Sequence, residues 1–178
     1  MKLLITLATL VLTLSASAQT SSRFRNEVTN NVTNHHNRIV EACTATANRQ
    51  YHAQPAVRLT TPSTWLYLYE VKFLNDCFFG AKMQLMNSHI QLLQTRINRL
   101  RAQARDRRDA NLARDVAGLE QGLSAFRTRQ NQERTQFQTE DYGWMGQEDI
   151  TKILKREIRN VLVEFYEGRA EMRFEGTL

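Results

Sequence analysis

The sequence predicts an all-α protein, an elongated antiparallel bundle of about four helices in which a helical hairpin is linked by one disulfide. Helix-breaking residues are few, since the chain has seven glycines and two prolines among 178 residues. Apolar residues recur at steps of three and four over long stretches, which is the period of one helical face. Cys43 and Cys77 fall within the first two of these stretches. Together, these observations favour paired helices with a covalent link.

The first predicted helix covers about residues 22 to 51. Its apolar face repeats at steps of four or seven through Phe24, Val28, Val32, Ile39, Cys43 and Ala47. The opposite face is rich in Asn and Thr, which are weak helix formers, so we expect this helix to depend on docking. Pro55 and Pro62 prevent a continuous helix through residues 53–62, which form the first break.

The second predicted helix begins near Trp65 and is apolar on most sides as far as Met86, which predicts extensive burial. From Phe79 onwards its apolar residues alternate at steps of four and three, the repeat of a heptad seam. The seam residues are Phe79, Met83, Met86, Ile90, Leu93, Ile97, Leu100 and Ala104. This seam is suited to antiparallel helix packing or to a coiled coil.

The third predicted helix carries a matching stripe, and its register breaks from the seam by eight residues between Ala104 and Leu112. The stripe residues are Leu112, Val116, Leu119, Leu123 and Phe126. A continuous helix would be an isolated rod of about 110 Å. A hairpin at the polar residues 105–111 buries both stripes, so we favour it, although that segment contains no Gly or Pro.

The fourth predicted helix follows a second break at residues 141–146. Gly143 and Gly146 in this break permit backbone angles that other residues avoid. It covers about residues 147 to 167 and has a regular apolar face. Gly168 is expected to end it, because glycine is common just after a helix C-terminus.

The N-terminal segment has the features of a cleaved secretory signal peptide. Lys2 precedes an apolar core of about 12 residues, and Ala16 and Ala18 fit the positions before a signal-peptidase cut that leaves Gln19 first. A membrane span needs about 20 apolar residues, so we do not expect an integral membrane protein. We predict secretion to the extracellular space, with a bacterial periplasm as the alternative. The predicted divisions are leader, helical domain and loose tail, at residues 1–18, 19–168 and 169–178.

Export bears on the two cysteines, because an oxidising compartment usually joins such a pair. Bridging Cys43 to Cys77 closes a loop of roughly 35 residues, which the chain-entropy model values at about 3–4 kcal/mol. In a hairpin of the first two helices the axial offset between them is about 7 Å. The connecting loop can absorb that offset, so hairpin and disulfide support each other.

Residues that would support catalysis or metal binding are not grouped in this sequence. His35 and His36 are adjacent, so on a helix they point about 100° apart and do not share a ligand face. His52 and His89 are isolated. We find no phosphate-binding Gly-rich loop, zinc-protease motif or nucleophile elbow. We therefore predict a non-enzymatic protein without a metal site or cofactor.

Arginines crowd the segment that connects the second and third helices. The whole chain has a formal charge of +6, and Arg101, Arg105 and Arg108 fall on one face at helical spacing. Arginine holds sulfate, phosphate and carboxylate groups through a two-donor fork. These three residues are candidates for binding an anion or a partner, either an unknown protein or an anionic glycan. Export and the lack of interleaved aromatic residues argue against nucleic acid. Aspartates dilute the positive field at Asp106, Asp109 and Asp115.

Two further candidate sites depend on other residues. An aromatic and Met-rich sector is most simply core, but it is also a candidate pocket for a lipid or small apolar ligand. The residues of that candidate pocket are Trp65, Phe73, Phe78 and Met83. The sequence Asn31-Val32-Thr33 matches the N-glycosylation acceptor pattern, which is meaningful in a eukaryotic secretory pathway.

These features predict an exported helical protein that acts by binding another macromolecule. One alternative is a carrier of a lipid or small apolar ligand in the aromatic sector. The other is a periplasmic structural or chaperone-like coiled-coil oligomer, in which the heptad seam pairs between copies of the chain.

Overall fold

The computed structural model contains four helices, α1 (Lys2–His52), α2 (Ser63–Arg107), α3 (Ala110–Thr139) and α4 (Gln147–Phe174). It describes residues 2–53, 63–139 and 146–175, with side chains at residues 22–53, 70–137, 146 and 149–175. Those residues include no strand, which confirms the all-α prediction. The predicted leader and its cleavage site, both prolines and residues 141–145 lie outside the described side chains.

Helix α2 is the centre of the arrangement and packs against each of the other three helices, while α1 also packs against α4. The chain alternates in direction from helix to helix. Helix α4 therefore runs parallel to α2: Thr151 donates a hydrogen bond to Asn75, and further along Glu175 meets Arg96. Helix α1 packs against both α2 and α4, whereas α3 packs mainly against α2.

Apolar burial forms two adjoining cores. The main core lies between α1, α2 and α4, and it contains Phe78, Met86, Ile158 and Leu162, all fully buried. The second core lies within the α2–α3 hairpin and contains Ile97, Leu100, Val116 and Leu123. The heptad seam and the stripe of α3 thus pack against each other within the chain, as the hairpin prediction requires.

The disulfide joins Cys43 of α1 to Cys77 of α2, with 5.5 Å between their Cα atoms. Cys43 is buried in the main core together with Val28 and Val32 of the same helix face. This confirms the predicted bridge between the first two helices. Helix α1 is thus joined to α2 both by apolar packing and by a covalent bond.

The α2–α3 hairpin reverses direction through Arg108 and Asp109. The Asp109 side chain accepts hydrogen bonds from the backbone amides of Asn111 and Leu112 at 2.9 and 3.1 Å, and so caps α3. The Asp109 amide in turn donates to the Ala104 carbonyl at 3.0 Å, which closes the end of α2. Arg108 adopts a φ of 53°, the left-handed conformation that glycine usually supplies at such an end.

Helix α4 continues past Gly168, where the sequence predicts its end, to Phe174. The loose tail predicted from residue 169 is therefore helical as far as Phe174, and Met172 is buried within it. The glycine has a packing role instead. A Cβ at Gly168 would lie 3.3 Å from the Leu92 side chain and 3.7 Å from His89, so its small size allows α4 to approach α2 closely.

We expect the Cys43→Ala, Cys77→Ala double variant to lose about 3 kcal/mol of unfolding free energy, because the open chain has more conformational entropy when unfolded. Urea denaturation followed by circular dichroism measures the change. The wild-type protein treated with a reducing agent should lose a similar amount. A loss below about 1 kcal/mol in both would contradict a stabilising role for this bridge.

Candidate functional site

The tip of the α2–α3 hairpin extends past the last turn of α4. The last turn of α4 reaches only to Arg96 of α2, whose Nη1 donates to Glu171 at 2.6 Å and whose Nε donates to Glu175 at 3.0 Å. Helix α2 continues from there to Arg107, and α3 returns alongside it. Eleven residues at the helical rise give an overhang of about 16 Å. In this overhang α2 and α3 extend past the end of α4.

The surface of this projecting tip is rich in arginine. All six arginines between residues 99 and 114 are exposed, at Arg99, Arg101, Arg105, Arg107, Arg108 and Arg114. Three aspartates share the segment, at Asp106, Asp109 and Asp115. Among these nine residues, the positive charges are therefore in excess.

The three predicted binding arginines differ in their surroundings. Arg101 forms an ion pair with Glu120 of α3, and Arg105 is exposed one turn further along α2. Arg108 lies beyond the end of α2, in the turn itself. Together with Arg99 and Arg107, Arg105 and Arg108 form no ion pair with any residue the structure describes. Helical spacing did not single out Arg99 and Arg107, because they project from other sides of α2.

Arg108 is the one described residue other than glycine with a positive φ. For a side chain with a Cβ, this conformation costs roughly 1–2 kcal/mol relative to the usual helical region. A glycine would remove that cost at no loss of packing, because the Arg108 side chain is exposed. Residues held in sparsely populated backbone regions are concentrated at functional sites. Arg108 is therefore a candidate functional residue.

A groove of about 630 Å³ runs along the side of the tip that lies beyond the end of α4. Its floor is apolar where Leu100, Leu112 and Leu119 contribute, and Gly118 widens it. Charged residues form its rim, at Arg96, Arg107, Asp109, Arg114, Asp115 and Glu175. We refer to this feature as the tip groove.

A second feature is the ion cluster around Lys82, which is only 3% exposed. Its Nζ lies 2.8 Å from Oε2 of Glu133 in α3 and 2.5 Å from Oε2 of Glu157 in α4. Arg129 extends the cluster through a two-pronged hydrogen bond to Glu164, at 2.9 and 3.1 Å. These interactions join α2, α3 and α4, so a structural role accounts for the buried ammonium group.

A cavity of about 190 Å³ adjoins Lys82 and is lined by Phe79, Phe137 and Ile150 among others. The rings of Phe79 and Phe137 are stacked, with centroids 3.8 Å apart. The predicted apolar pocket has different residues: Phe78 and Met83 are buried in the main core, and Phe73 is half-buried. The side chain of Trp65 lies outside the described ones. Ligand pockets usually enclose about 300–1,000 Å³, so this cavity is small for a lipid.

His35, His36 and His89 each make separate contacts. His36 donates a hydrogen bond from Nε2 to the Lys155 carbonyl at 3.1 Å, and His35 Nδ1 lies 3.2 Å from the Tyr166 hydroxyl, both across the α1–α4 interface. His89 is buried against Phe126.

Among the described residues, no group of three or more metal-ligating side chains is present. Asn31, the glycosylation candidate, is half-buried on α1.

Burial lowers the pKa of His35 and of His89 below the ordinary value. Nearby cations add to this effect, from Arg38 on α1 for His35 and from Arg129 on α3 for His89, while Glu164 on α4 opposes it for His89. Both imidazoles are therefore neutral in the folded protein near pH 7. Protonation favours the unfolded chain, so their contribution to stability is present above about pH 6.5 and is lost as the pH falls below it.

We expect the unfolding free energy to be lower at pH 5.5 than at pH 7.5, and the drop to be smaller in His89→Leu, which removes one of the two groups. Urea titrations at both pH values measure the difference. Gln121→Ala, an exposed position without an ionisable side chain, is the control and should keep the wild-type drop. An unchanged drop in His89→Leu would show that this residue is not responsible.

We expect Arg108→Gly to raise the unfolding free energy by about 0.5–1 kcal/mol, since glycine adopts the left-handed conformation without a steric cost but is more flexible when unfolded. Thermal denaturation measures the gain. Arg105→Gly, within α2, should instead destabilise by about 1 kcal/mol. A loss of stability in Arg108→Gly would contradict the strain described at the turn.

Across the described residues, no helix contains an apolar stretch suited to crossing a membrane. Comparison with known proteins gives no match: no family model, no curated protein and no solved structure is significantly similar to this chain. Support for a function therefore comes from the surfaces of this chain itself.

Proposed function

We propose that this chain is an exported, non-enzymatic protein that binds an acidic macromolecule through the arginine-rich tip of the α2–α3 hairpin. The observation that carries this proposal is Arg108, an arginine kept in a left-handed conformation at the turn of an arginine-rich hairpin tip. A turn under selection for stability alone would be better served by glycine. A charge retained against that cost supports a role in binding.

Exposed guanidinium groups are suited to such a partner. Each offers a planar fork of donors that matches a carboxylate or a sulfate, and it is more weakly hydrated than the ammonium group of lysine. Arginines outnumber lysines by 19 to five in this chain. Because Arg99, Arg105 and Arg107 project from different sides of α2, the tip can meet a partner over a broad surface. Binding of this kind weakens as salt screens the charges.

Export is supported by the leader-like residues 1–18 together with the Cys43–Cys77 bridge. A disulfide of this kind persists in an oxidising compartment, such as the extracellular space or a bacterial periplasm. An exported location also restricts the acidic partners to those outside the cytoplasm, such as anionic glycans and acidic proteins.

The two alternative functions receive less support from the packing. The heptad seam that would pair between copies of the chain is covered by α3, so a coiled-coil oligomer would need a different surface. The carrier function would need a larger space than the cavity beside Lys82. In addition, Phe78 and Met83 are already used in the core.

We expect a tip variant, Arg99→Glu, Arg105→Glu, Arg107→Glu, to bind a polyanion at least about tenfold more weakly than the wild type at low salt. Retention on immobilised heparin, with the salt concentration needed for elution, is the measurement. Arg101 is not included because of its ion pair with Glu120, nor Arg108 because of its backbone conformation.

The matched control is Arg38→Glu, Arg156→Glu, Arg169→Glu, which reverses three exposed arginines elsewhere on the bundle. It changes the net charge by the same amount. If both triple variants elute at the same reduced salt, net charge alone governs retention and the tip is not a binding site. If neither variant differs from the wild type, the proposal fails as well.

A further inference from the structure

We propose that the turn of the α2–α3 hairpin is a processing site, at which a serine endoprotease with acidic subsites cleaves the peptide bond between Arg108 and Asp109. This inference goes beyond the proposed function, because it concerns a covalent modification of the turn and does not require polyanion binding. Three features of the turn support it. They are the spacing of its arginines, its exposure, and the small amount of structure that must open before a protease can bind it.

Arginines precede this bond at a specific spacing. Residues 105–108 read Arg-Asp-Arg-Arg, so arginine occupies the last, the second-to-last and the fourth-to-last positions before the bond. The pattern Arg-x-Arg-Arg occurs once in the chain, and the only other adjacent Lys or Arg residues are Lys155 and Arg156. A protease pocket that contains a carboxylate selects arginine, because the carboxylate pairs with the planar guanidinium fork. Pockets for all three arginines would distinguish this turn from every other basic residue of the chain.

The three arginines are accessible to such pockets. Arg105, Arg107 and Arg108 are exposed, and they form no ion pair with any residue that the structure describes. Arg101, one turn earlier in α2, is instead paired with Glu120 of α3. A protease that binds the turn therefore has to displace no described carboxylate from the three guanidinium groups.

The bond itself lies between the two helices. Helix α2 ends at Arg107 and α3 begins at Ala110, so Arg108 and Asp109 are the two residues outside both. All seven residues from 105 to 111 are exposed. Exposed polar turns are preferred sites of proteolytic cleavage, because a protease must reach the backbone as well as the side chains.

A serine protease binds its substrate as an extended segment, so the turn and the adjoining helix ends must unwind locally. Beyond the helical bonds of those ends, this breaks the hydrogen bond from the Asp109 amide to the Ala104 carbonyl, at 3.0 Å. It also breaks the two bonds that the Asp109 side chain accepts from the Asn111 and Leu112 amides, at 2.9 and 3.1 Å. No residue from 105 to 111 belongs to either core. Segments with few buried contacts open more readily than the core does.

The second basic pair has the opposite surroundings. Lys155 and Arg156 lie in the interior of α4. They are flanked by Leu154, which is 5% exposed, and by Ile158, which is fully buried. Unwinding α4 there would remove both apolar side chains from the main core. A protease that recognises paired basic residues is therefore expected to distinguish the two pairs by their conformation.

The cleavage is a hydrolysis that needs only the protease and water. The bond from the Arg108 carbonyl carbon to the Asp109 nitrogen breaks, and the protease serine holds the Arg108 acyl group as an intermediate ester. Water supplies the hydroxyl of the new carboxyl group at Arg108 and, overall, one hydrogen of the new amine at Asp109. Nothing is oxidised or reduced.

The test incubates the purified, folded full chain with a subtilisin-like convertase that requires Arg-x-Arg-Arg and, in parallel, with limiting trypsin, which requires one basic residue. Amino-terminal sequencing of the products identifies each cut. With the convertase we expect one new amino terminus, at Asp109. With trypsin we expect cleavage after Arg107 or Arg108 to be at least about tenfold faster than after Arg156, because the turn opens more often than the interior of α4.

Arg105→Ala is the informative variant, because it removes the fourth-to-last arginine and leaves the cleaved bond unchanged. We expect the convertase to cut this variant at least about tenfold more slowly than the wild type, and trypsin to cut it at the wild-type rate. Arg134→Ala, which replaces an exposed arginine of α3, is the matched control, and both proteases should cut it as they cut the wild type. Alanine is the better helix former, so both variants should fold.

Failure of the convertase to cut the folded chain after Arg108 overturns the proposal, and a synthetic peptide of residues 102–113 then shows whether the sequence or the fold prevents the cut. Equal convertase rates for Arg105→Ala and the wild type overturn it as well. So does trypsin cleavage after Arg156 as fast as cleavage in the turn. Retention of the uncut chain on heparin is independent of these results, so this proposal and the proposed function can fail separately.

Discussion

The packing of α2 against three neighbours is the constraint on which the rest of the structure depends. This helix carries more apolar surface than one partner can cover, so α1, α3 and α4 each take a different side of it. The parallel pairing of α2 and α4 follows from the alternating direction of the chain together with this shared centre. Close approach at Gly168 and the ion cluster around Lys82 then set the spacing of α4 from α2 and α3. Where α4 stops, α2 loses one neighbour, and both candidate surfaces lie in that region.

Much of this fold follows from the sequence by elementary arguments. The heptad seam and the stripe of α3 predict the hairpin, because the apolar faces of two successive helices can bury each other when the chain reverses between them. The disulfide is predicted from the leader-like N-terminal segment and from the positions of Cys43 and Cys77 on apolar faces. Periodicity defines a face but does not say which helix covers it. The contact between α2 and α4, and hence the overhang, was not predictable for that reason.

The differences from prediction have physical causes as well. The sequence predicts a helix end at Gly168 because glycine is common both just after helices and at close helix contacts, and the sequence alone does not distinguish the two uses. The α2–α3 turn contains no glycine, and there Arg108 itself adopts the left-handed conformation while Asp109 caps α3. Of the tip arginines, helical spacing selected Arg101, Arg105 and Arg108. It does not select Arg99 and Arg107, which are also exposed at the tip, and it does not reveal that Glu120 pairs with Arg101.

The position of the disulfide has a consequence for how the chain would respond to a protease. The bridge joins α1 to α2, so both of its ends lie on the N-terminal side of the hairpin turn. The turn itself exposes Arg107 and Arg108, the residue type that trypsin-like proteases recognise. A single cut there would leave two fragments with no covalent bond between them, one of α1 and α2 and the other of α3 and α4. Non-covalent contacts would then hold the nicked molecule together, among them the packing of α2 and of α1 against α4 and the ion cluster of Lys82. After such a cut the covalent bonds leave two separate fragments, although the main core contains residues of both.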